Sequence, residues 1–461
     1  MKILLVKPYN LSDHIQPSLG LGYLATVARY GNEVKILDCL KENVKINQLG
    51  KIVKSYKPNL VGFQYYTFDT KFIREALGVI KNISKDIITV TGGPHPSALP
   101  EETMKCFKGI LDFAFVGEAE RGFKSLLEYL SGNGVDILGI PGLAWREDGI
   151  VKVNTPFFEE NLDSIGMAAW DLIRPETYPE SQHGAFYKKF PIAPIILTRG
   201  CPYECTFCAG KVVSGKKFRK RSVSNVINEI KTLYTDYGIR EFHIVDDNFT
   251  LDKAHAKHFF KELLNLGLDI SLATPNGISV DNLDEELLIL MKKSGVYLIS
   301  LGIESGSDRI LRLMKKNLEV ERIKKTVSLI RNLGFEVAGF FILGFPTEKK
   351  EDIRNTIRLS LELDLLRANF FTYLPFPGTE SHYDLAKNGE LNGVDWEKFY
   401  FMNAAYAPKG ITRRELKRLQ RLAFFKFYFR PRILWKNILG IKSLKHFCYL
   451  LKRFYHWIIM S

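Results

Sequence analysis

A chain of 461 residues, 46% of them hydrophobic, can fill the cores of two or three ordinary domains. Six cysteines are too sparse for a disulfide framework, no stretch approaches the roughly 18 to 20 uncharged apolar residues of a membrane span, and Met1-Lys2-Ile3-Leu4-Leu5-Val6 reads as a strand and not as a signal peptide, so a cytoplasmic, reducing setting is expected. The net charge of +14 is uneven: residues 412–461 hold 13 Lys and Arg against one acid, Glu415, which leaves residues 1–411 at only +2.

Residues 1–130 alternate strand-like and helix-like patterns. The short apolar runs 3–6, 33–37, 60–63, 87–90 and 113–116 suit buried strands, and 21–30 and 72–83 have helical spacing, which predicts an α/β, doubly wound, Rossmann-like parallel sheet. Such a sheet binds ligands at the carboxyl ends of its strands. The loops expected there are 7–22 with Pro17-Ser18-Leu19-Gly20-Leu21-Gly22, then 64–67 ending at Thr67, then Gly92-Gly93-Pro94-His95-Pro96, then Gly117-Glu118-Ala119-Glu120. Glycines at strand ends admit a ligand and also simply make turns. Residues 131–190 read as a hairpin turning at Asp148-Gly149, followed by a linker whose 161–171 stretch runs extended over the next domain.

The alternation resumes from 195. Strands at 195–197, 241–245, 269–273, 297–301, 335–342 and 369–374, with helices between them, predict a partial TIM-type (β/α)6 barrel over 191–400. The distinctive residues fall at strand ends: Asp246-Asp247-Asn248, Asn276-Gly277, Gly302-Ile303-Glu304-Ser305-Gly306, Gly344-Phe345-Pro346 and Pro375-Phe376-Pro377-Gly378. A carboxylate in such a place, at Asp246 or Asp252, has helix capping as its competing reading. After the first strand comes Arg199-Gly200-Cys201-Pro202-Tyr203-Glu204-Cys205-Thr206-Phe207-Cys208. Three thiolates on one loop can wrap a [4Fe-4S] cluster and leave one iron open. A zinc knuckle would need a fourth ligand nearby, yet the next histidine is His243 and no second cysteine pair exists.

The C-x3-C-x2-C spacing with its aromatic residue resembles the radical S-adenosylmethionine (SAM) superfamily, and the match extends over roughly 190–385. The resemblance implies that Cys201, Cys205 and Cys208 hold the cluster. It places the Phe207 backbone by the adenine, Asp246 and Asp247 near the methionine end of SAM, and Glu304 and Ser305 at its ribose or amino groups. Arg221 is assigned to the carboxylate, while Asn276 and Gly344 complete the contacts. The first 130 residues resemble the cobalamin-binding domain that precedes many radical SAM domains, which assigns Thr67, Gly92, Gly93, His95, Gly117 and Glu118 to the corrinoid. The chain lacks the Asp-x-His-x-x-Gly motif of cobalamin mutases, because Asp13-His14 has the wrong spacing. His95 is therefore placed either against the corrin or as a turn cap.

Residues 401–461 form a basic helical extension, with Leu416, Leu419, Ala423 and Phe427 on one stripe and Arg414, Lys417, Arg418 and Arg421 opposite. Three fates stand open for it: an anionic membrane surface, nucleic acid as the least favoured, or packing on the barrel with its charges solvated. Together the cofactor domains imply that a 5'-deoxyadenosyl radical abstracts hydrogen from an unactivated carbon and that methylcobalamin, loaded from a second SAM, methylates it. The substrate would be a small or lipid-like molecule, with a one-electron reductant such as flavodoxin or ferredoxin. The alternatives are radical cyclisation or ring rearrangement, as in anaerobic magnesium-protoporphyrin cyclases, and an iron-sulfur redox sensor on a membrane or nucleic acid. A methylthiotransferase would need three more cluster cysteines, where only Cys39 and Cys106 occur.

Overall fold

The computed structural model describes the chain except residues 11–14, 181–186, 393, 395, 397, 398, 445 and 452–461, so Asp13, His14 and the end of the basic extension lie outside the described residues. Two parallel sheets organise the rest. The first contains β1 (Lys2–Lys7), β2 (Glu33–Asp38), β3 (Leu60–Gln64), β4 (Ile88–Gly92), β5 (Phe113–Phe115), β6 (Leu143–Glu147) and β7 (Ile150–Val153), in the order 2-1-3-4-5-6-7. Strands β1 to β5 pair in parallel, whereas β6 and β7 are antiparallel. The alternation of β1 explains the layering: Leu4 and Val6 enter one core and Ile3 and Leu5 the other, so both faces need helices. The order reverses between β1 and β3, which opens a crevice at their carboxyl ends.

The second sheet is built from β8 (Ile192–Ile195), then, after a ribbon of β9 (Thr198–Arg199) and β10 (Arg219–Lys220), from β11 (Glu241–Ile244), β12 (Ser271–Ile278), β13 (Val296–Glu304), β14 (Glu336–Leu343) and β15 (Arg367–Thr372). Its order is 15-14-13-12-11-8, with every pair parallel. Six strands joined by helices form the expected incomplete barrel. Asp252 caps its helix, accepting from His255 N at 3.0 Å.

The structure departs from the sequence reading in four places, the first being the strand expected at 195–197, which is β8 at Ile192–Ile195. The hairpin read as a connector pairs with β5 and enlarges the first sheet. The 161–171 stretch is not simply extended: it holds a 3-10 turn at Leu162–Ile165 and enters the helix Trp170–Ile173, with Leu162, Ile165, Trp170 and Ile173 buried. Asn276 and Gly277 lie inside β12, which continues past them through a register shift.

The helix Arg413–Tyr428 begins with a Thr412/Glu415 capping box. Leu416, Ala423 and Phe427 are buried against the barrel, beside the exposed Arg414, Arg418 and Arg421. Its Gln420 donates to Phe370 O at 2.7 Å, which covers the open edge of β15. For this stripe, packing on the barrel is the fate observed.

Candidate active site

The cysteine loop leaves the ribbon strand β9 through Gly200, whose φ of +84° and contact with the Lys217 carbonyl leave no room for a side chain. Thr206 N donates to Met314 O at 3.0 Å, and Thr206 O accepts from Ser381 Oγ at 2.9 Å, so the loop is held from two sides. Phe207 packs its ring with Ile310, Met314, Phe345 and Tyr373. Burial pushes the thiols of Cys201, Cys205 and Cys208 up, and Lys316 opposes that rise at all three. Lys316 is held by Glu304 at 3.1 Å; burial works against its ammonium, yet Glu304 and the thiols of Cys205 and Cys208 keep its pKa above the ordinary value. Glu304 itself sits at φ +64°, a backbone strain found at functional sites.

Among the described residues no three His, Cys, Asp or Glu side chains converge on one metal ion. A cubane presents a separate iron to each thiolate, so three thiols spread along one loop beside a buried cation suit the cluster. They would be its protein ligands.

Asp247 is exposed to a concavity yet enclosed by protein, and burial raises its pKa. A Cβ on Gly210 would stand 3.5 Å from both Asp247 Oδ1 and Cys208 Sγ, so the bare glycine brings carboxylate and thiol together across one backbone. Asn276 donates to Val245 O at 2.6 Å and stays exposed beside Asp247's strand end.

Four assigned SAM contacts are engaged elsewhere. Arg221 pairs with Glu229 at 2.5 Å and donates to Ile196 O and Asn225, so its guanidinium is used inside the protein and not presented to a carboxylate. Asp246 accepts from Leu197 N, Thr198 N and Thr198 Oγ1 at 2.6 to 3.1 Å; burial raises it to about 7, and it ties β11 to the start of the cysteine loop. Ser305 is fully buried, meets Thr356 Oγ1 at 3.3 Å and accepts from Ser307 N. Gly344, at φ +85°, lies beneath Leu416 of the Arg413–Tyr428 helix. Spacing located Asp246, Ser305 and Gly344 at strand ends but carried no signal of which side chains their neighbours would claim.

A cleft of about 320 Å³ opens at the carboxyl ends of β1, β3 and β4. Gly92, Gly93, Gly117 and Glu118 line it, as expected, together with Gln64 and Tyr66 of the expected 64–67 loop. Thr67 and His95 are not among its lining residues: the His95 ring lies 4.4 Å from that of Tyr65, its Nδ1 meets Thr67 Oγ1 at 3.1 Å, and burial holds its pKa down at about 4. Glu118 is also claimed, pairing with Arg219 at 2.7 Å and Arg199 at 3.5 Å.

The lining, apolar in its middle and polar at its edges, suits one face of a large, partly enclosed cofactor. Leu5, Leu21, Val90, Phe115 and Phe123 form its apolar part. Thr91 also lines it, 1% exposed, with an Oγ1 that has no hydrogen-bond partner among the described residues. A buried hydroxyl left open in this way calls for a ligand acceptor or donor. The far wall belongs to the barrel: Ile196, Thr198, Arg199 and Asp247.

Comparison with known proteins gives this arrangement its context. The radical SAM superfamily matches residues 195–360, and the B12 binding domain matches residues 12–127. An uncharacterized methyltransferase of Pyrococcus horikoshii is 33% identical, across 98% of this chain and 97% of its own. The chain belongs to the B12-binding radical SAM family. The cytidylyl-2-hydroxyethylphosphonate methyltransferase of Streptomyces wedmorensis, 32% identical over 84% of this chain and 82% of its own, is a second such relative. The radical SAM methyltransferase TsrM of Kitasatospora setae, solved with cobalamin and a [4Fe-4S] cluster, shares the fold at a TM-score of 0.68 and 21% identity, over 85% of this chain and 75% of that one. This B12-binding radical SAM protein is thus an enzyme, and its cofactors are a [4Fe-4S] cluster, SAM and cobalamin.

Proposed function

We propose that the enzyme is a cobalamin-dependent C-methyltransferase acting on a small molecule. The observation that carries this reading is the shared wall: Asp247 lines the corrinoid cleft and also stands beside Cys208 across Gly210. The bound cofactors supply a 5'-deoxyadenosyl radical for hydrogen abstraction and a methyl group for transfer to the carbon so activated. The chain's own residues position that chemistry. Cys201, Cys205 and Cys208 would hold the cluster, Lys316 offsets their charge, and Thr91 with Gly92 and Gly93 would receive the corrinoid. Asp247 is left facing the space between, where a substrate must reach both. Electrons would come from an external one-electron donor such as flavodoxin or ferredoxin.

Protein reconstituted anaerobically with iron, sulfide and hydroxocobalamin, then given reductant and SAM, is expected to form deoxyadenosine and, with its methyl acceptor, S-adenosylhomocysteine. Cys201→Ala, Cys205→Ala or Cys208→Ala should each abolish the cluster absorbance and deoxyadenosine. Deoxyadenosine with no corrinoid retained would support cyclisation or rearrangement instead.

A further inference from the structure

Residues 422–451 contain ten of the twenty-one exposed large apolar side chains among the described residues. The face they form is independent of the methyl-transfer reading. The helix Arg413–Tyr428 starts at the carboxyl end of β14, where Leu416 covers Gly344, and finishes at the amino end of β15, where Tyr428 Oη donates to Ala368 O at 3.0 Å. The next helix, Pro431–Leu439, is fastened at that lower end: Arg430 donates to Leu361 O, Arg432 pairs with Asp364 at 2.7 Å, and Ile433 is buried. Its outer side carries Leu434, Trp435, Ile438 and Leu439, with Trp435 63% and Leu439 67% exposed. Lys436 stands among them, and Leu422 of the preceding helix and Phe429 just after it add further exposed apolar surface, as do Leu444 and Phe447 beyond.

We propose that this face docks on an anionic lipid surface. Exposed tryptophan and leucine beside lysine and arginine, on a helix anchored by one buried residue, is the chemistry of an interfacial helix. Lys426 and Lys436 are exposed at this end, in a segment, residues 412–461, that holds thirteen cations against one acid, which supplies the complementary charge. A second copy would present the same positive charge and repel, and a nucleic acid would leave the apolar side chains in water. Among the described residues no helix is long and apolar enough to cross a membrane, so the contact is peripheral. The cysteine loop follows the carboxyl end of β8, opposite the docking end, so the cofactor mouth points away from the bilayer and takes its substrate from the aqueous side.

The test is co-sedimentation of the full-length, cluster-loaded enzyme with vesicles of phosphatidylcholine, with and without phosphatidylglycerol. Binding is expected only with the anionic lipid, falling as salt rises and about tenfold in the double variant Trp435→Glu, Ile438→Glu and in Lys436→Glu to a lesser degree. Both variants should keep the cluster absorbance and deoxyadenosine release, which separates lost docking from lost folding. Wild-type enzyme that stays in the supernatant at low salt, variants that sediment equally, or preferential retention on RNA would overturn the proposal.

Discussion

Glu348 illustrates how a single side chain encodes a pH response. It is 1% exposed, accepts from Gly344 N and Phe345 N through Oε2, and leaves Oε1 without a hydrogen-bond partner; burial raises its carboxyl from 4.5 to about 8. The folded state therefore holds this proton more tightly than the unfolded chain. Its contribution to stability is complete below about 4.5, declines as pH rises, and is lost above about 8. Thermal midpoints measured across that window should fall more steeply for the wild type than for Glu348→Gln, and equal slopes would contradict the assignment. Sequence gave no notice of Glu348, because burial of a carboxylate is a property of what packs over it. Cys201, Cys205 and Cys208 were legible for the opposite reason: their chemistry depends on local spacing in one loop. Asp246 falls between these cases, expected at a strand end but bound to Thr198, and Arg221, expected at the SAM carboxylate, is bound to Glu229; only the fold brings these partners near.

At the scale of elements, the two sheets are joined by charge. Glu118, in the loop after β5, receives both Nη atoms of Arg219 on β10 at 2.7 and 2.8 Å, and Arg199 of β9 pairs with Glu120 at 2.8 Å. The side chains of Arg219 and Glu118 are 2% and 7% exposed, so removing one partner strands a buried charge. Glu118→Gln should cost about 3–5 kcal/mol in anaerobic chemical denaturation; a loss below about 1 kcal/mol would show that the pair does not fasten the sheets. Most strands were readable within a residue or two, because parallel strands buried on both faces appear as short apolar runs. The hairpin β6–β7 was recognised from Asp148-Gly149, but its pairing with β5 was not, since a turn signal carries no information about the partner strand.

For the whole molecule, the order of the domains in the sequence predicted two cofactor sites but not their contact. Contact follows from the packing of the β9–β10 ribbon on the loop after β5, which makes Thr198, Arg199 and Asp247 the far wall of the corrinoid cleft. The basic extension divides in the same way: its buried stripe could be read from helical spacing, whereas its placement at the end remote from the cysteine loop required the barrel. The proposed methyl transfer requires the two cofactors to lie either side of Asp247. Electron paramagnetic resonance of the enzyme carrying both cob(II)alamin and the reduced cluster tests this directly. Spin coupling that broadens or splits both signals relative to singly loaded samples is the result expected; two signals that simply add, with both cofactors bound, would contradict a shared site.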